Sequence, residues 1–386
     1  MHKTGFVAVI LSVSLGLFSC DLRNQGSRSL GKILDPVLKE VISKHNIPAI
    51  SVSVVSKGNA IYTGSAGIKQ IGREALLSSK DLLHIGSNAK AFTPYLAAIL
   101  VKEGKISWDT HISQVFPSIS QSKIEQYEDA SLSNLLSHRA WIKPMTAEGE
   151  FEDVPDYFMS PTLSSKEAME AREKFVPYML EFNPSLPANG KAYNYSNAGF
   201  IIAAAMLEQV ANRPWEELVE TYIFKPLNIE VVFGWPAAKN SNGVYGHLQS
   251  ELGKLEPHDP NGEYKLPSIF APAGDVSIST DDYTAWLQEN LNCISGKSKI
   301  LSKKTCHMLH FGSSDKKLFP MGWGRQKRDD GMLVSTHVGS AGTFLSYALI
   351  FEESNSAVAV TFNSANKDAE LAFKDIYAVL KRELHL

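Results

Sequence analysis

The chain has 386 residues, of which 44% are hydrophobic and 20% charged, so it is globular and long enough for two domains or one large composite domain. Thirty-eight basic residues against 41 acidic ones leave a net charge of −3, and no run of lysine or arginine stands out. This balance argues against a nucleic-acid partner and favours a small neutral or mixed-charge substrate.

The first 20 residues have the pattern of an export signal. His2 and Lys3 form a basic start, residues 5–18 form an apolar core too short to span a bilayer, and a Leu-Phe-Ser-Cys box ends at Cys20. This pattern resembles a bacterial lipoprotein signal. It predicts that residues 1–20 are the signal peptide, that a lipid on Cys20 anchors the exported protein to a membrane at the periplasm or cell surface, and that residues 21–30 are a tether.

The first folded elements are predicted to be a helix and a hairpin. Asp35 and Pro36 are typical of a helix N-terminus, and the apolar residues that follow at helical spacing predict a face that packs on a sheet. Residues 49–55 and 60–63 are rich in β-branched side chains and are separated by turn residues 57–59, which predicts a β-hairpin.

Residues 82–101 run from a short apolar segment through a Gly-Ser turn into an amphipathic helix, so Ser87 is predicted to lie at a helix N-terminus. The unpaired N–H groups there favour negative charge that develops beside Ser87. Pro94 lies inside the predicted helix, where it removes a backbone hydrogen bond toward Lys90 and predicts a kink.

The remaining pattern predicts an α/β fold, an antiparallel sheet flanked by helices with an inserted all-helical domain. Helices are expected at 132–136, 165–182 and 198–212, then at 280–291 and 369–384, with strands at 333–338, 343–351 and 357–362. We therefore assign residues 31–105 and 232–386 to one discontinuous α/β domain and residues 106–231 to a helical domain. The cleft between the two is the default position for a site.

Ser87 and Lys90 are a candidate nucleophile and base. Lys90 follows Ser87 by three residues and so shares its helix face, and an amine that is partly desolvated near other cations can lose its proton near neutral pH. The spacing alone is weak evidence, because Ser-x-x-Lys occurs six times in the chain.

Tyr195 and Asn197 precede the apolar helix at 198–212, in the one Tyr-x-Asn among thirteen tyrosines. A nearby cation such as Lys90 is expected to lower the pKa of Tyr195 enough for the phenol to move a proton to and from Ser87. The amide of Asn197 can hold a lysine and a substrate carbonyl.

His337, Gly339 and Ser340 lie where one predicted strand ends. Gly339 is expected to let a substrate lie against the strand edge. The backbone N–H of Ser340 is expected to pair with that of Ser87 as an oxyanion hole.

The order Ser-x-x-Lys, Tyr-x-Asn, His-x-Gly resembles the serine β-lactamase and penicillin-binding protein superfamily, in particular its class C β-lactamase, DD-peptidase and esterase branch. Segments 104–109, 133–138, 223–228, 271–274 and 322–324 are similar to recurring family segments in the same order. The resemblance implies a β-lactamase/transpeptidase-like fold and a serine hydrolase with catalytic Ser87, Lys90 and Tyr195 and no cofactor. The chain departs from the family at Arg139 and Trp141, which are expected to reshape one wall of the cleft.

A second departure is His337, where many β-lactamases have a lysine. Lysine is always cationic there and attracts a substrate carboxylate, whereas a histidine with a pKa near ~6.5 is mostly neutral above neutral pH. Anionic substrates should therefore gain less here unless Arg325 substitutes, and activity on them should fall as the pH rises through the pKa of His337.

Several alternatives stay open from the sequence. The acyl donor can be a D-amino peptide, an ester or a β-lactam, and a lipid-tethered binding or sensor protein with little turnover would carry the same motifs. Cys293 and Cys306 can form a disulfide or remain two thiols with about equal weight. No Gly-x-Ser-x-Gly elbow or His-x-x-x-His pair occurs, which argues against an α/β-hydrolase and a metal site. The sequence does not indicate an oligomeric state.

Overall fold

The computed structural model describes residues 14–386 except 147, 152, 188–191 and 316, with side chains from residue 30 onward apart from 121, 122 and 148. The strands are β1 Ala49–Ser56, β2 Asn59–Gly67, β3 Leu82–His84, β4 Val231–Phe233, β5 His247–Gln249, β6 Leu255–Pro257, β7 Val276–Ser279, β8 Gly324–Lys327, β9 Leu333–Ser340, β10 Leu345–Phe351 and β11 Ser356–Phe362.

The longer helices, of eight residues or more, are α1 Ser14–His45, α2 Phe92–Lys102, α7 Ser165–Met179, α8 Asn197–Ala211, α13 Thr280–Ser295, α14 Lys303–Phe311 and α15 Lys367–Leu384. Shorter ones are α3 Ile112–Val115, α4 Gln121–Ile124, α5 Leu132–Leu136, α6 Asp156–Met159, α9 Trp215–Val219, α10 Lys225–Leu227, α11 Pro236–Lys239 and α12 Ala271–Gly274. A 3₁₀ helix, Gly86–Ala91, precedes α2, and others span Glu125–Tyr127, Glu148–Glu150 and Ser268–Phe270, with a π-helical turn at Glu220–Phe224.

The main sheet has six antiparallel strands in the order β2-β1-β11-β10-β9-β8. Its central strands β1 and β11 are almost wholly buried, because α1 and α15 cover one face and α13 packs on the other. In β1, Ile50, Val52 and Val54 alternate with Ser51 and Ser53, and all five are buried because both faces of the strand are covered. The predicted fold class, an antiparallel sheet flanked by helices, is confirmed.

The first helix is longer than the sequence analysis expected. It begins at Ser14, so Pro36 lies inside it and segment 21–30, which we interpreted as a tether, is helical. Asp35 does not cap the helix; its carboxylate accepts a hydrogen bond from the Tyr62 hydroxyl at 2.7 Å. Leu30 and Leu34 pack on the sheet, so the apolar pattern begins before the proline. The predicted signal falls on residues 1–13, outside the described residues, and on part of α1 whose side chains are not described.

A small three-stranded sheet positions the turn that carries Ser87. Strands β3 and β4 both pair with β7, and the N–H of Ile85 donates to the carbonyl of Val276 at 3.0 Å. These strands have three or four residues each, too short for a period-two pattern to predict them. Strand β3 ends at His84, and a single residue, Ile85, separates it from the 3₁₀ helix that begins at Gly86.

The described elements between residues 103 and 230 are helices and turns, with α7 and α8 packed against each other. Between them lies a buried ion triad, in which Arg172 bonds both Glu208, at 2.6 Å, and Glu216, at 2.8 Å. The N–H of Trp215 also donates to Glu208 at 2.7 Å. The guanidinium and carboxylate groups pair with each other where water cannot reach them. Removal of one group would leave a buried charge without its partner.

Cys293 and Cys306 are joined as a disulfide, with their Cα atoms 5.5 Å apart. The bond links the last turn of α13 to α14, so the disulfide alternative is the one that the structure favours. Among the described residues, no helix combines the length and the apolar character needed to cross a bilayer.

Removing the cation of the buried triad should be strongly destabilising. We expect Arg172→Ala to lower the free energy of unfolding by about 3–5 kcal/mol, because two carboxylates would remain buried without a partner. Arg213→Ala is the matched control, since Arg213 forms an exposed pair with Glu217 at 3.5 Å, and it should cost less than about 1 kcal/mol. Urea unfolding of both variants tests this expectation, and equal losses would contradict it.

Candidate active site

The turn that carries Ser87 lies backbone to backbone against strand β9. A Cβ atom on Gly86, which has a φ of +52°, would lie 2.6 Å from the nitrogen of Ser340. A Cβ atom on Gly339 would lie 2.0 Å from the carbonyl oxygen of Ile85 and 2.9 Å from the nitrogen of Ser87. The space that Gly339 leaves is therefore filled by this turn, where we had expected a substrate.

The same close approach brings the backbone nitrogens of Ser87 and Ser340 to one place. Asn88 holds the turn there, because its buried side-chain amide donates to the hydroxyls of Tyr283, at 2.9 Å, and Ser346, at 3.1 Å. Ser346 lies on β10, so the turn is fixed to the main sheet as well as to the small one. The arrangement suits two N–H groups that hold a developing oxyanion.

Lys90 is fully buried behind Ser87, in the same 3₁₀ helix. Residues three apart eclipse each other in a 3₁₀ helix, which puts the amine 3.3 Å from the Ser87 hydroxyl. The amine also contacts the side-chain oxygen of Asn197 at 2.6 Å and the carbonyl oxygen of Ala273. Pro94, expected to kink a helix, lies in the first turn of α2, where a missing N–H is tolerated.

Burial lowers the pKa of Lys90 well below 10.5. A neutral amine has two N–H donors and one lone pair, and the surroundings of Lys90 match that set. The oxygens of Asn197 and Ala273 can take both donors, which leaves the lone pair for the hydroxyl proton of Ser87. The amine is thereby prepared to act as a base.

Asn197 is oriented by its place at the start of α8. Ser196 caps that helix by accepting from the N–H of Gly199 at 2.9 Å, so the side chain of Asn197 is not needed as a cap. Its NH₂ group donates to the carbonyl of Met145 at 2.7 Å, which turns its oxygen toward Lys90.

The ring centroid of Tyr195 lies 4.8 Å from the amine of Lys90, and the side chain of Ser87 is close enough to the phenol to lower its pKa slightly. Our expectation that Lys90 lowers the pKa of this phenol was wrong, since burial raises the pKa of Tyr195 to about 12. A neutral Lys90 supplies no positive charge to oppose the burial. Tyr195 therefore stays protonated and can donate a proton.

His138, to which the sequence analysis gave no role, supports Tyr195. Its ring lies 4.4 Å from that of Tyr195 and 5.1 Å from that of Phe200. Its Nδ1 accepts from the N–H of Ser196 at 3.1 Å, and burial lowers its pKa well below 6.5. A neutral ring with a fixed tautomer holds the phenol in place.

His84 and Asp275 form a second support that the sequence analysis missed. The Nε2 of His84 lies 3.0 Å from the carboxylate of Asp275, and its Nδ1 accepts from the N–H of Gly86 at 3.2 Å. Asp275 directly follows α12, whose Ala273 carbonyl contacts Lys90. This buried pair ties the Ser87 turn to the segment that holds the base. The sequence around His84 carries the same His-x-Gly spacing as His337, so the spacing alone could not have identified this pair.

His337 lies on β9 at the edge of the site, with its side chain half-buried. Burial is the main cause that lowers the pKa of His337 to about 3, and the charge that Lys90 carries when it is protonated contributes less. We had expected a value near that of a free histidine. The ring is therefore neutral through the whole neutral range. The lowered pKa argues against the expected titration of His337 near neutral pH.

A cleft of about 570 Å³ is lined by Tyr195 and His337, although Ser87 and Lys90 are not among its lining residues, and we call it the substrate cleft. Arg139 forms part of its wall, as expected, whereas Trp141 does not line it. A larger cavity of about 1250 Å³, near Trp108 and His111, contains none of the predicted site residues. The substrate cleft is lined by Ser137, His138, Arg139, Tyr193, Tyr195, Phe319, Pro320, Gly322, Trp323, Gly324, Arg325, Gln326, Thr336, His337 and Val338.

Comparison with known proteins agrees with this geometry. The family model described as Beta-lactamase matches residues 34–382. The chain is 23% identical to penicillin-binding protein 4 of Amycolatopsis lactamdurans, over 89% of this chain and 87% of the relative. It is 22% identical to a putative D-alanyl-D-alanine carboxypeptidase of Escherichia coli K12, over 72% of this chain and 68% of the relative.

Among solved structures, the octameric penicillin-binding protein homologue from Pyrococcus abyssi superposes with a TM-score of 0.70 at 21% identity, covering 91% of this chain and 77% of the other. At this identity the likeness supports the fold. Together with the match of the family model over most of the chain, it confirms the resemblance that the motifs indicated. The chain belongs to the Beta-lactamase family and is an enzyme of the serine hydrolase type.

Proposed function

We propose that Ser87 attacks the carbonyl of a D-amino peptide, an ester or a β-lactam, and that water then hydrolyses the acyl-enzyme. The observation that carries this proposal is the set of contacts at Lys90. Two carbonyl-type oxygens occupy its donors, burial lowers its pKa, and its lone pair faces the Ser87 hydroxyl 3.3 Å away. A serine beside such an amine is an activated nucleophile.

The geometry supports a balanced sequence of proton transfers. As the oxygen of Ser87 bonds to the carbonyl carbon, its proton passes to the amine of Lys90, and the N–H groups of Ser87 and Ser340 stabilise the oxyanion. Tyr195 gives its proton to the leaving nitrogen or oxygen and regains one from Lys90. A water molecule then attacks the acyl-enzyme and gives its proton to the same base. The oxygen of Ser87 leaves with a proton from the same donor, which releases the acid and restores the enzyme.

We also propose that the protein is exported and anchored through a lipid on Cys20. The Leu-Phe-Ser-Cys box supports this, and so does the Cys293–Cys306 disulfide, because such bonds persist mainly in oxidising compartments. The anchor would place the substrate cleft at the periplasm or cell surface, where peptidoglycan peptides and β-lactams are encountered.

The role of Ser87 and Lys90 can be tested by covalent labelling. We expect wild-type protein to take up a fluorophosphonate or a fluorescent penicillin, Ser87→Ala to take up neither, and Lys90→Met to react roughly 10³-fold more slowly, because its base is lost. Lys80→Met, at an exposed position, is the control and should react normally.

Intact mass measured over time identifies the outcome. Label from the penicillin that persists indicates a peptidase-like enzyme, and transient label with drug consumption indicates a lactamase. Label from the fluorophosphonate alone favours an esterase. A wild-type protein that takes up neither probe would contradict the proposal and favour a binding or sensor protein.

The pH dependence of kcat/KM should reflect the titration of Lys90 and not that of His337. We expect kcat/KM to fall as the pH falls through the lowered pKa of Lys90, because only the neutral amine accepts the serine proton. No alkaline loss is expected up to about pH 9, since the pKa of Tyr195 is about 12. The ratio of kcat/KM for an anionic and a neutral ester should stay constant between about pH 6 and pH 8.5, where His337 does not titrate. A ratio that falls about tenfold near pH 6.5 would restore the earlier hypothesis.

Lipidation can be tested in cells. Full-length protein grown with radioactive palmitate should incorporate label and fractionate with membranes, and Cys20→Ala should lose both properties. Cys306→Ala is the control, because that cysteine lies in a disulfide far along the chain, and it should keep the label. Label that is independent of Cys20 would exclude this anchor.

A further inference from the structure

The cavity near Trp108 and His111 has no role in the proposed mechanism, although its volume of about 1250 Å³ is more than twice the 570 Å³ of the substrate cleft. We call it the second cavity. One wall comes from segments 108–111 and 129–134, and the opposite wall comes from α14 and from the chain that follows it. Pockets for drug-sized molecules usually have at most about 1,000 Å³, so the second cavity has room for a longer ligand.

The walls of the second cavity are fixed before a ligand binds. On one side, His111 and Ser131 form an antiparallel bridge, and the N–H of Ser133 donates to the carbonyl of Trp108 at 3.0 Å. On the other side, the disulfide joins α14 to α13. Preformed walls reduce the entropy that is lost when a ligand is bound.

Charges of both signs line the second cavity without pairing. The carboxylates of Asp109 and Asp129 and the amines of Lys303 and Lys304 belong to exposed residues of its lining. The ion pairs among the described residues involve other aspartates and other lysines. Two carboxylates and two ammonium groups are therefore available to a ligand.

Asn134 and His111 add acceptors whose direction is set by the protein. The NH₂ group of Asn134 donates to the carbonyl of Asp129 at 2.6 Å, which leaves its side-chain oxygen as an acceptor. The Nδ1 of His111 lies 2.5 Å from the carbonyl oxygen of Glu128, which can only accept, so Nδ1 is the donor and Nε2 remains for a ligand. Trp108 packs partly on the core and supplies an apolar surface among these polar groups.

This combination matches a saccharide chain. Each sugar hydroxyl is both a donor and an acceptor, so it can bond to a carboxylate and to an ammonium group in one site. The C–H face of a sugar ring is apolar and can be buried against an aromatic ring such as that of Trp108. A strongly anionic ligand is disfavoured by Asp109 and Asp129, and a strongly cationic one by Lys303 and Lys304.

The second cavity and the substrate cleft share two segments of chain. Asn134 lines the cavity and Arg139 lines the cleft, and the N–H of Arg139 donates to the carbonyl of Asn134 at 2.7 Å. Leu318 lines the cavity, and the next residue, Phe319, lines the cleft. The guanidinium group of Arg139 lies over the ring of Phe319, 3.4 Å from its centroid. A ligand that occupies both spaces would pass this pair.

We propose that the second cavity binds a saccharide chain, and that the enzyme thereby selects acyl donors that carry one. Trp108 packs against a sugar ring, and Asp109, Asp129 and Asn134 accept hydrogen bonds from its hydroxyls. Binding of the saccharide depends on the cavity alone, whereas the selection of substrates rests on the proposed hydrolase function.

Calorimetry with the full-length protein tests saccharide binding. Chitohexaose and maltohexaose are the probes, and an uncharged Gly-Ser hexapeptide with blocked ends is the control ligand. We expect at least one of the two oligosaccharides to bind at least tenfold more tightly than the hexapeptide. Trp108→Ala should weaken that binding by more than about tenfold, and Trp108→Phe should weaken it less, because it keeps a ring.

Two exposed aspartates provide a matched comparison. Asp129→Asn removes a charged acceptor from the cavity and should weaken oligosaccharide binding about tenfold. Asp329→Asn should bind as wild type does, because Asp329 lines neither the cavity nor the cleft. Should Trp108→Ala fold poorly, this pair still decides the question. Failure of both oligosaccharides to bind, equal binding of the hexapeptide, or equal losses in the two aspartate variants would refute the saccharide site.

A matched pair of esters tests the selection of substrates. One is acetyl-glycylglycine p-nitrophenyl ester, and the other carries at its amino end a trisaccharide of the sugar that binds. We expect wild-type protein to favour the second ester by about tenfold in kcat/KM, mainly through a lower KM, because the saccharide is bound equally before and during the reaction. Asp129→Asn should remove most of this preference, and Asp329→Asn should keep it.

The two assays together distinguish failure of this inference from failure of the proposed function. Oligosaccharide binding without any Ser87-dependent hydrolysis of either ester would refute the hydrolase function and keep the saccharide site. Equal kcat/KM for both esters, in a protein that does bind the oligosaccharide, would refute the selection of substrates.

Discussion

The site depends on keeping the amine of Lys90 out of water. Burial alone accounts for its lowered pKa, and the groups that enclose it come from distant parts of the chain. Asn197 is supplied by α8, Ala273 by α12, and Phe200 lies 5.6 Å from the amine. Because these neighbours belong to both the helical segment and the part with the sheets, the base acquires its chemistry only when the whole chain has folded. A lysine solvated as in a peptide would keep its proton.

A second constraint is the contact between two backbones at Gly86 and Gly339. Neither position has room for a Cβ atom, so the turn of Ser87 and strand β9 approach more closely than side chains allow. This close approach places the nitrogens of Ser87 and Ser340 near each other. The turn that carries Ser87 is also held by the His84–Asp275 pair and by the side chain of Asn88. Fixed N–H dipoles need not reorganise during the reaction, which is why such positioning accelerates it.

The sequence predicted the elements whose pattern is strong and local. Strands β1, β10 and β11 and helices α7, α8, α13 and α15 were expected within a few residues, because their apolar periodicity is long enough to recognise. The sequence did not predict strands β3, β4 and β7, which are too short to show a period. It also placed the start of α1 too late, because Pro36 is typical of a helix N-terminus. At the candidate site, the motifs predicted Ser87, Lys90, Tyr195 and Asn197, and the structure brings the other three side chains close to the amine of Lys90. The motifs could not give the pKa of Tyr195 or of His337, because burial by residues far away in the chain determines both.

The distribution of charge shows how chemistry and recognition are separated in this cleft. A permanently cationic side chain at position 337 would lie close enough to Lys90 to lower its pKa, as the reciprocal effect of Lys90 on His337 shows. With a neutral histidine there, burial alone must deprotonate Lys90, and the oxyanion must rely on N–H dipoles. The positive charge in the lining of the cleft is carried by Arg139 and Arg325, on another wall. Residues on that wall can change the preferred substrate without altering the pKa of the base, because neither arginine contributes to the lowered pKa of Lys90.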